Sequence, residues 1–293
     1  LTALVRHHLL LPDTASRRDL QDEGTVRFVA EEIGSPGTVA LLAALTEADS
    51  IATGAAAWNA WKAGLVHELA RRTITYLEGG DLPAVESSFP SPEQRAVAAE
   101  GEQFVRLEGH ELLIVAPDRP SLFSRVAGAL ALHGVEILEA NVATEGDMAI
   151  QVMRVGGGVV VDEDPGRVIA AIETALRGRV ALRARLLERA RTYGYQRVTT
   201  ARPSAPQVLI DNETSRDATV VEVRGPDSIG LLYRVTRAMV ELDLDILTAK
   251  VQTLGHDVVD AFYVSDRDGR KILDDDYLAE IEVAVLSAIS PDS

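Results

Sequence analysis

Three kinds of residue in this sequence have types and spacings suited to chemistry. The first is a pair of adjacent histidines, His7 and His8, with Asp49 well downstream. Imidazole and carboxylate ligands suit Mn, Mg, Fe or Zn according to geometry. Neighbouring side chains on a helix point about 100° apart, so His7 and His8 cannot both face one ion without a partner helix between them. One can hold a metal or phosphate while the other packs, with Asp49 converging from a later helix. The plainer alternative is helix-surface histidines and a capping aspartate. The second kind is a pair of turns, Pro117-Asp118 and Pro226-Asp227, each placed where an apolar β-branched run gives way to a helical pattern. At a helix start, backbone N–H groups lack partners and the dipole is positive. A small residue three positions after the aspartate (Ser121, Gly230) lets a ligand approach the backbone closely. Such a turn suits a free carboxylate; one copy alone reads better as an ordinary helix cap, and the second copy at the same offset favours the ligand reading. The third kind is Asp-x-Asp, at Asp243-Leu244-Asp245 and Asp266-Arg267-Asp268. Paired aspartates hold the two metals of nucleotidyl transfer, but neither pair follows a Gly-Ser turn. They read as solvated loop carboxylates, at a helix–strand junction and a hairpin tip.

Other chemistry is excluded or weak. Cysteine is absent, which removes disulfides, thiolate metal sites and cysteine nucleophiles. His67, His110, His133 and His256 are isolated. Trp58 and Trp61 are three apart on a helical pattern and read as packing residues. Arg177, Arg179, Arg183, Arg185, Arg189 and Arg191 form a basic run. Glu173 and Glu188 interrupt it and no aromatics interleave, so it reads as a solvated interdomain helix rather than a phosphate or RNA patch. The 293 residues carry a formal charge of −16, which argues against a nucleic-acid partner, since that needs clustered Lys and Arg. Residues 207–293 hold 18 acidic and 8 basic side chains, so −10 of the −16 lies in this last stretch and the Arg-rich helix has a surface on which to dock. No apolar run reaches a membrane span and no targeting segment is present, so a cytoplasmic location without membrane partners is expected. Beginning at Leu1, the chain reads as a piece of a longer protein.

The elements that must position these residues follow from hydrophobic period. Residues 1–78 read as helical: Phe28-Val29, Ile33, Val39, Leu41-Leu42 and Leu45 recur at three and four, with Gly34, Pro36 and Gly37 as punctuation. Residues 79–107, rich in Pro and Ser, read as a linker that includes a short amphipathic helix from Glu93. From residue 108 the order is βαββα, with strands at 112–116, 137–144 and 148–155, helices from Pro120 and Pro165, and a fourth strand at Val208-Leu209-Ile210. The pattern then returns over 216–293. One offset of 109 carries Pro117-Asp118, Leu122, Arg125, Val126 and Ala129 onto Pro226-Asp227, Leu231, Arg234, Val235 and Ala238. It also carries Ile137-Leu138, Ala140, Val142 and Thr144 onto Ile246-Leu247, Ala249, Val251 and Thr253. A gap-free repeat of this kind implies two ferredoxin-like units. The expected fold class is α+β: helices over 1–78, a linker over 79–107, and two βαββαβ units over 108–212 and 216–293. No clear fourth strand appears in the second unit, which leaves its edge open for pairing.

Pro-Asp-Arg-Pro-Ser-Leu-Phe (117–123) and Pro-Asp-Ser-Ile-Gly-Leu-Leu (226–232) resemble the signature of ACT domains, small amino-acid-sensing modules. The second copy is the better match, since Ser121 stands where the signature usually has Gly. Residues 246–255 and 259–264 resemble the last ACT domain of the PII uridylyltransferase/uridylyl-removing family. Leu4 to Leu11, Arg17-Arg18-Asp19, Leu45 to Asp49 and Trp58-Asn59-Ala60-Trp61-Lys62 resemble the back half of that family's HD domain, a helical metal-dependent phosphohydrolase. The resemblance implies the regulatory part of an enzyme that nucleotidylates the PII signalling protein and hydrolyses the nucleotide off, switched by glutamine. It implies Asp227, Ser228, Ile229, Gly230 and Leu231 as the ligand turn, with Asp118, Arg119 and Ser121 second. It implies Mg or Mn in the full-length enzyme, with His7, His8 and Asp49 as late members of a site whose other ligands precede residue 1. This chain alone is then catalytically incomplete and binds no cofactor. The alternative is a non-enzymatic amino-acid-binding ACT module of another regulator. UMP and AMP are both open as the transferred group.

Overall fold

The computed structural model describes residues 2–18, 20, 22–53, 60–80, 89–156, 161, 163–193, 205–251, 253–254 and 257–290. The readings of Asp19, Trp58, His256 and residues 81–88 of the linker fall outside these, as does the Trp61 side chain. The chain divides into two compact units, residues 1–88 with 211–217, and residues 89–210 with 218–293.

The first unit is helical: α1 (Thr2–Arg6), α2 (Leu10–Arg17), α3 (Glu23–Ile33), α4 (Pro36–Thr53) and α5 (Ala60–Leu77). The Asp22 carboxylate caps α3 by accepting from the Gly24 N–H at 2.8 Å. Gly34, in the left-handed region at φ 74°, ends it. Pro36 then opens α4, where a missing N–H costs nothing. Leu11, Val29, Leu42 and Leu69 are fully buried between the helices. The segment 211–217 packs into this unit. Arg18 stacks over the Phe28 ring at 4.5 Å, donates to the Thr214 hydroxyl and lies 3.6 Å from the Asp211 carboxylate. Gly24 is required by this contact, because a Cβ there would lie 1.7 Å from the Thr214 carbonyl oxygen. No single described helix is long and apolar enough to cross a membrane.

The second unit contains α6 (Pro92–Ala99), β1 (Phe104–Glu108), β2 (Glu111–Pro117), α7 (Leu122–Leu132), β3 (Glu136–Glu145), β4 (Met148–Gly156), α8 (Pro165–Leu176) and α9 (Leu182–Tyr193). It continues with β5 (Gln207–Asp211), β6 (Thr219–Pro226), α10 (Leu231–Glu241), β7 (Asp245–Lys250), β8 (Thr253–Leu254), β9 (Asp257–Ser265) and α11 (Asp275–Ile289). Both repeat copies share one nine-stranded sheet in the order β1-β2-β4-β3-β7-β9-β6-β5, with β8 on β9. The ferredoxin-like arrangement is as the repeat implies, but two expectations need correcting. The strand at 208–210 does not complete the first copy; β5 pairs with β6 and closes the edge of the second copy. The first copy's edge is closed by β1, inside the segment read as linker, through a hairpin at Gly109-His110. Each copy therefore takes its edge strand from the N-terminal side, ββαββα in place of βαββαβ, and the outer edge expected to be open is covered.

The registers repeat with the offset. Ile114 pairs with Gln151 in the first copy, and Val223 with Asp260 in the second. A bulge falls at Leu138 and again at its counterpart Leu247. The copies meet where β3 pairs antiparallel with β7, through Glu139↔Lys250, Ala140↔Ala249 and Asn141↔Thr248. Ala140 and Ala249 are counterparts, and each flanking pair maps onto the other, so the seam has a local two-fold axis. A single apolar core lies on the helical face and runs through both copies, with Ile114, Met153 and Ile172 in one and Met239, Phe262 and Ile281 in the other. Helices α7 and α10 cross it, and Gly128 is needed there because a Cβ would lie 2.8 Å from the Tyr233 ring. On the opposite face α6 covers Leu113, Val115 and Ile150. It is held at its start by a reciprocal cap between Ser91 and Gln94.

The seam carries charge on the face opposite the shared apolar core. Glu139 accepts from Lys250 and lies 3.6 Å from Arg154, and the three side chains are only 22%, 12% and 29% exposed. Half-buried charges left without a partner are costly, whereas exposed pairs contribute little. Glu139→Gln should lower unfolding stability in urea by about 1–3 kcal/mol. Glu241→Gln, which breaks the exposed 2.8 Å pair with Arg237, should cost no more than about 0.5 kcal/mol. Equal losses would show that the seam charges do not stabilise the fold.

Candidate functional site

The two signature turns have the same backbone. Ser121 (φ 71°, ψ 10°) and Gly230 (φ 76°, ψ 14°) both sit in the left-handed region immediately before a helix. Serine at position 121 thus keeps the glycine conformation and bears its steric cost. A second left-handed pair follows each helix, at Gly134 (φ 71°) and its counterpart Asp243 (φ 54°). The copies therefore alternate, with a side chain at the first position in one copy and at the second position in the other. Ser121 and Asp243 are the two described non-glycine residues with positive φ, and both line the same cavity.

That cavity has a volume of about 550 Å³ and is built by both copies. The first copy supplies the turn Asp118–Leu122, Thr144 of β3 and Gln151 of β4. The second supplies Asp243, Leu244 and Asp245 at the α10–β7 junction, with Ser265 and Arg267. Two of the lining residues carry a buried polar atom with no hydrogen-bond partner: Gln151 Oε1 and Ser265 Oγ, on residues only 2% and 1% exposed. Unsatisfied buried polar atoms cost about 1–3 kcal/mol each, so a ligand that pairs with them gains that much back. The Asp118 carboxylate accepts from the Thr144 hydroxyl at 3.0 Å. Arg119 lines the cavity, but its guanidinium donates to the Leu176 carbonyl at the end of α8. Arg267 pairs with Asp243. Partial burial, followed by the nearby Asp118, Asp266 and Asp243 carboxylates, pushes the Asp245 carboxyl above its ordinary pKa. The cavity thus offers helix-start N–H groups for a carboxylate, a cluster of carboxylates for an ammonium group, and an amide and a hydroxyl for a polar side chain.

The symmetry-related position is filled. A Cβ on Gly230 would lie 3.3 Å from Leu186, and one on Gly134 would lie 3.3 Å from the Arg189 guanidinium; both contacts come from α9. Glycine at both positions lets that helix approach. Helix α9 is therefore not simply solvated as its sequence suggests, since it buries Leu182 and Leu186. Asp227, Ser228, Ile229, Gly230 and Leu231 are placed around this filled position. Arg234 donates to the Ser228 hydroxyl at 2.8 Å and to the Ile229 carbonyl at 3.2 Å, while Ile229 and Gly230 border a smaller crevice of about 260 Å³. Arg234 also reaches the Ala288 carbonyl at 2.9 Å, as its counterpart Arg125 reaches Ala175 at 3.3 Å. In each copy this arginine ties the signature helix to the C-terminal end of the second helix.

The remaining chemical residues behave differently. Asp243 and Asp245 line the cavity, which their sequence context did not reveal. The usable signal was the mismatch of Asp243 with Gly134 under the 109-residue offset. Asp266 and Asp268 stand in a turn after β9 rather than a hairpin tip, where Asp266 accepts the Asp268 and Arg270 N–H groups at 2.9 and 2.8 Å. In the helical unit, His8 Nδ1 lies 2.9 Å from the Val5 carbonyl and His7 lies 4.0 Å from Glu32. Asp49 is exposed on α4. Among the described residues no three His, Asp or Glu side chains gather as a metal ion would need. His7, His8 and Asp49 do not by themselves fit a metal.

Two ferredoxin-like units fused side by side through one sheet, each with a left-handed turn before its first helix, define a tandem ACT-domain arrangement. The family model described as the ACR family N-terminal ACT domain matches residues 214–290. The chain is 35% identical, over 94% of its length, to a bifunctional uridylyltransferase/uridylyl-removing enzyme of Streptomyces coelicolor, covering 39% of that protein. It is 34% identical over 98% of its length to the Gluconobacter oxydans enzyme of the same name, covering 36% of it. With the Mycobacterium tuberculosis enzyme of that name it shares 35% identity over 90% of its length and 35% of that relative's. The similarity runs along nearly the whole chain, which spans little more than a third of the length of these relatives.

The Asp245 carboxyl yields a pH test. Its pKa is raised in the fold, so above that pKa the charged form opposes folding, and protonation relieves the penalty as pH falls towards the ordinary carboxylate range. Asp245→Asn should therefore stabilise the ligand-free chain at neutral pH, and the gain should vanish in acid. A gain that is absent at neutral pH, or constant with pH in thermal melts, would contradict the raised pKa.

Proposed function

We propose that this chain is the amino-acid-sensing part of an enzyme that nucleotidylates the PII signalling protein and removes the nucleotide, and that its effector is glutamine. The observation that carries the reading is the shared cavity, whose lining includes Gln151 and Ser265, each with a buried polar atom left unpaired. The ligand's α-carboxylate meets the helix start at Ser121, where the helix dipole favours an anion. Its ammonium faces Asp118 and Asp245. Its carboxamide pairs with Gln151 and Ser265, since an amide can both donate and accept. Because α9 fills the related position, one ligand is bound per chain.

The relatives' name supplies the two activities, and the PII substrate and the glutamine effector come from the resemblance of the motifs. Regulation then has a simple requirement. Glutamine must bind one arrangement of the enzyme's domains better than another, because equal affinity for both shifts nothing.

Calorimetry of the chain against free amino acids tests the reading. Glutamine should bind with one site per chain, and Gln151→Leu should weaken it by about tenfold or more. Serine or phenylalanine binding in place of glutamine would favour a different ACT-containing regulator. Two sites per chain, or affinity unchanged in Gln151→Leu, would overturn the site assignment.

A further inference from the structure

A separate cavity of about 280 Å³ lies among α7, α8 and α9. Its floor is apolar, with Ala129, Leu132 and Leu182, and Thr174 adds a hydroxyl. Its rim is cationic. Arg167 comes from α8 and Arg185 from α9, and the half-buried His133 ends α7. The Arg189 guanidinium stands beside them, against Gly134. Glu173, which interrupts the arginine run in the sequence, is spent on Arg177 at 3.6 Å. Partial burial and then the Arg167 and Arg189 charges hold the His133 imidazole below its ordinary pKa. The influences resolved on that ring are desolvation and positive charge, with no carboxylate among them. In a chain of net charge −16 this is a concentrated positive field.

Guanidinium groups arranged around a concave site match phosphate oxygens in geometry and charge. Ligand sites typically combine an apolar lining with a few convergent polar groups. An acidic protein surface would be met by a flat or convex patch, whereas this rim encloses a small concavity. We propose that this cavity binds the phosphate of a small phosphorylated molecule, with Arg167 and Arg185 on its oxygens, His133 as a neutral hydrogen-bond partner, and the apolar floor under the rest. The site is distinct from the amino-acid cavity and does not depend on that reading.

Calorimetry with the whole chain at low salt, using pyrophosphate and AMP as probes, tests the proposal. Both should bind, and Arg167→Gln/Arg185→Gln should weaken both by about tenfold or more. Both arginines are exposed, so circular dichroism should report an unchanged fold. The His133 imidazole resonance should shift on addition of either probe in the parent and stay still in the double variant. Tighter binding of AMP would assign the floor to an organic group, and equal affinity would assign the site to free phosphate. Failure of both probes to bind, or undiminished binding by the double variant, would overturn the proposal, as would poly-glutamate binding at these residues in their place.

Discussion

The pairing of Ala140 with Ala249 at the middle of the sheet is the constraint on which the rest of the second unit depends. Two half-sheets with apolar helical faces gain most by merging when their inner edge strands match in register. Small side chains at the axis let the strands and the core beneath them meet, and Glu139 with Lys250 fixes the flanks. Once the seam is set, the first copy's signature turn must face the second copy's α10–β7 junction. Neither copy contains the cavity alone. The seam also sets the spacing of α7 and α10, which is why Gly128 yields to Tyr233.

A two-fold arrangement would give two equal cavities, and the chain breaks that equality with few residues. Side chains occupy the left-handed positions at Ser121 and Asp243, where the cavity is open, and glycines occupy Gly230 and Gly134, where α9 packs. Strained left-handed residues persist when surrounding structure enforces them, and they gather at sites of function. The strain at Ser121 and Asp243, together with the unpaired Gln151 and Ser265, marks the open cavity as the place where a ligand gains most. The filled position instead contributes to folding, through burial of Leu182 and Leu186.

Much of this was legible in the sequence. The helical period of the first unit, the helix end at Gly34, and the 109-residue offset each rest on local pattern, and the structure carries all three. The edge strands were harder to read. β1 lies in a stretch whose Pro and Ser content masks a short hairpin, and β5 pairs forward to β6, a choice that only the finished sheet determines. The role of α9 was hidden because its arginines outnumber the two leucines that pack. Asp243 and Asp245 looked like solvated carboxylates because the partner that makes them a cavity wall lies across the seam, more than a hundred residues away in sequence.

The central claim is that one amino acid binds between the copies at the first turn, with the second turn closed by α9. A crystal structure of the chain grown with glutamine tests it most directly. The account predicts one ligand, its carboxylate at the helix start at Ser121 and its amide against Gln151 and Ser265, with Leu186 still seated on Gly230. A ligand at the Gly230 turn with α9 displaced, or an empty cavity at saturating glutamine, would contradict it.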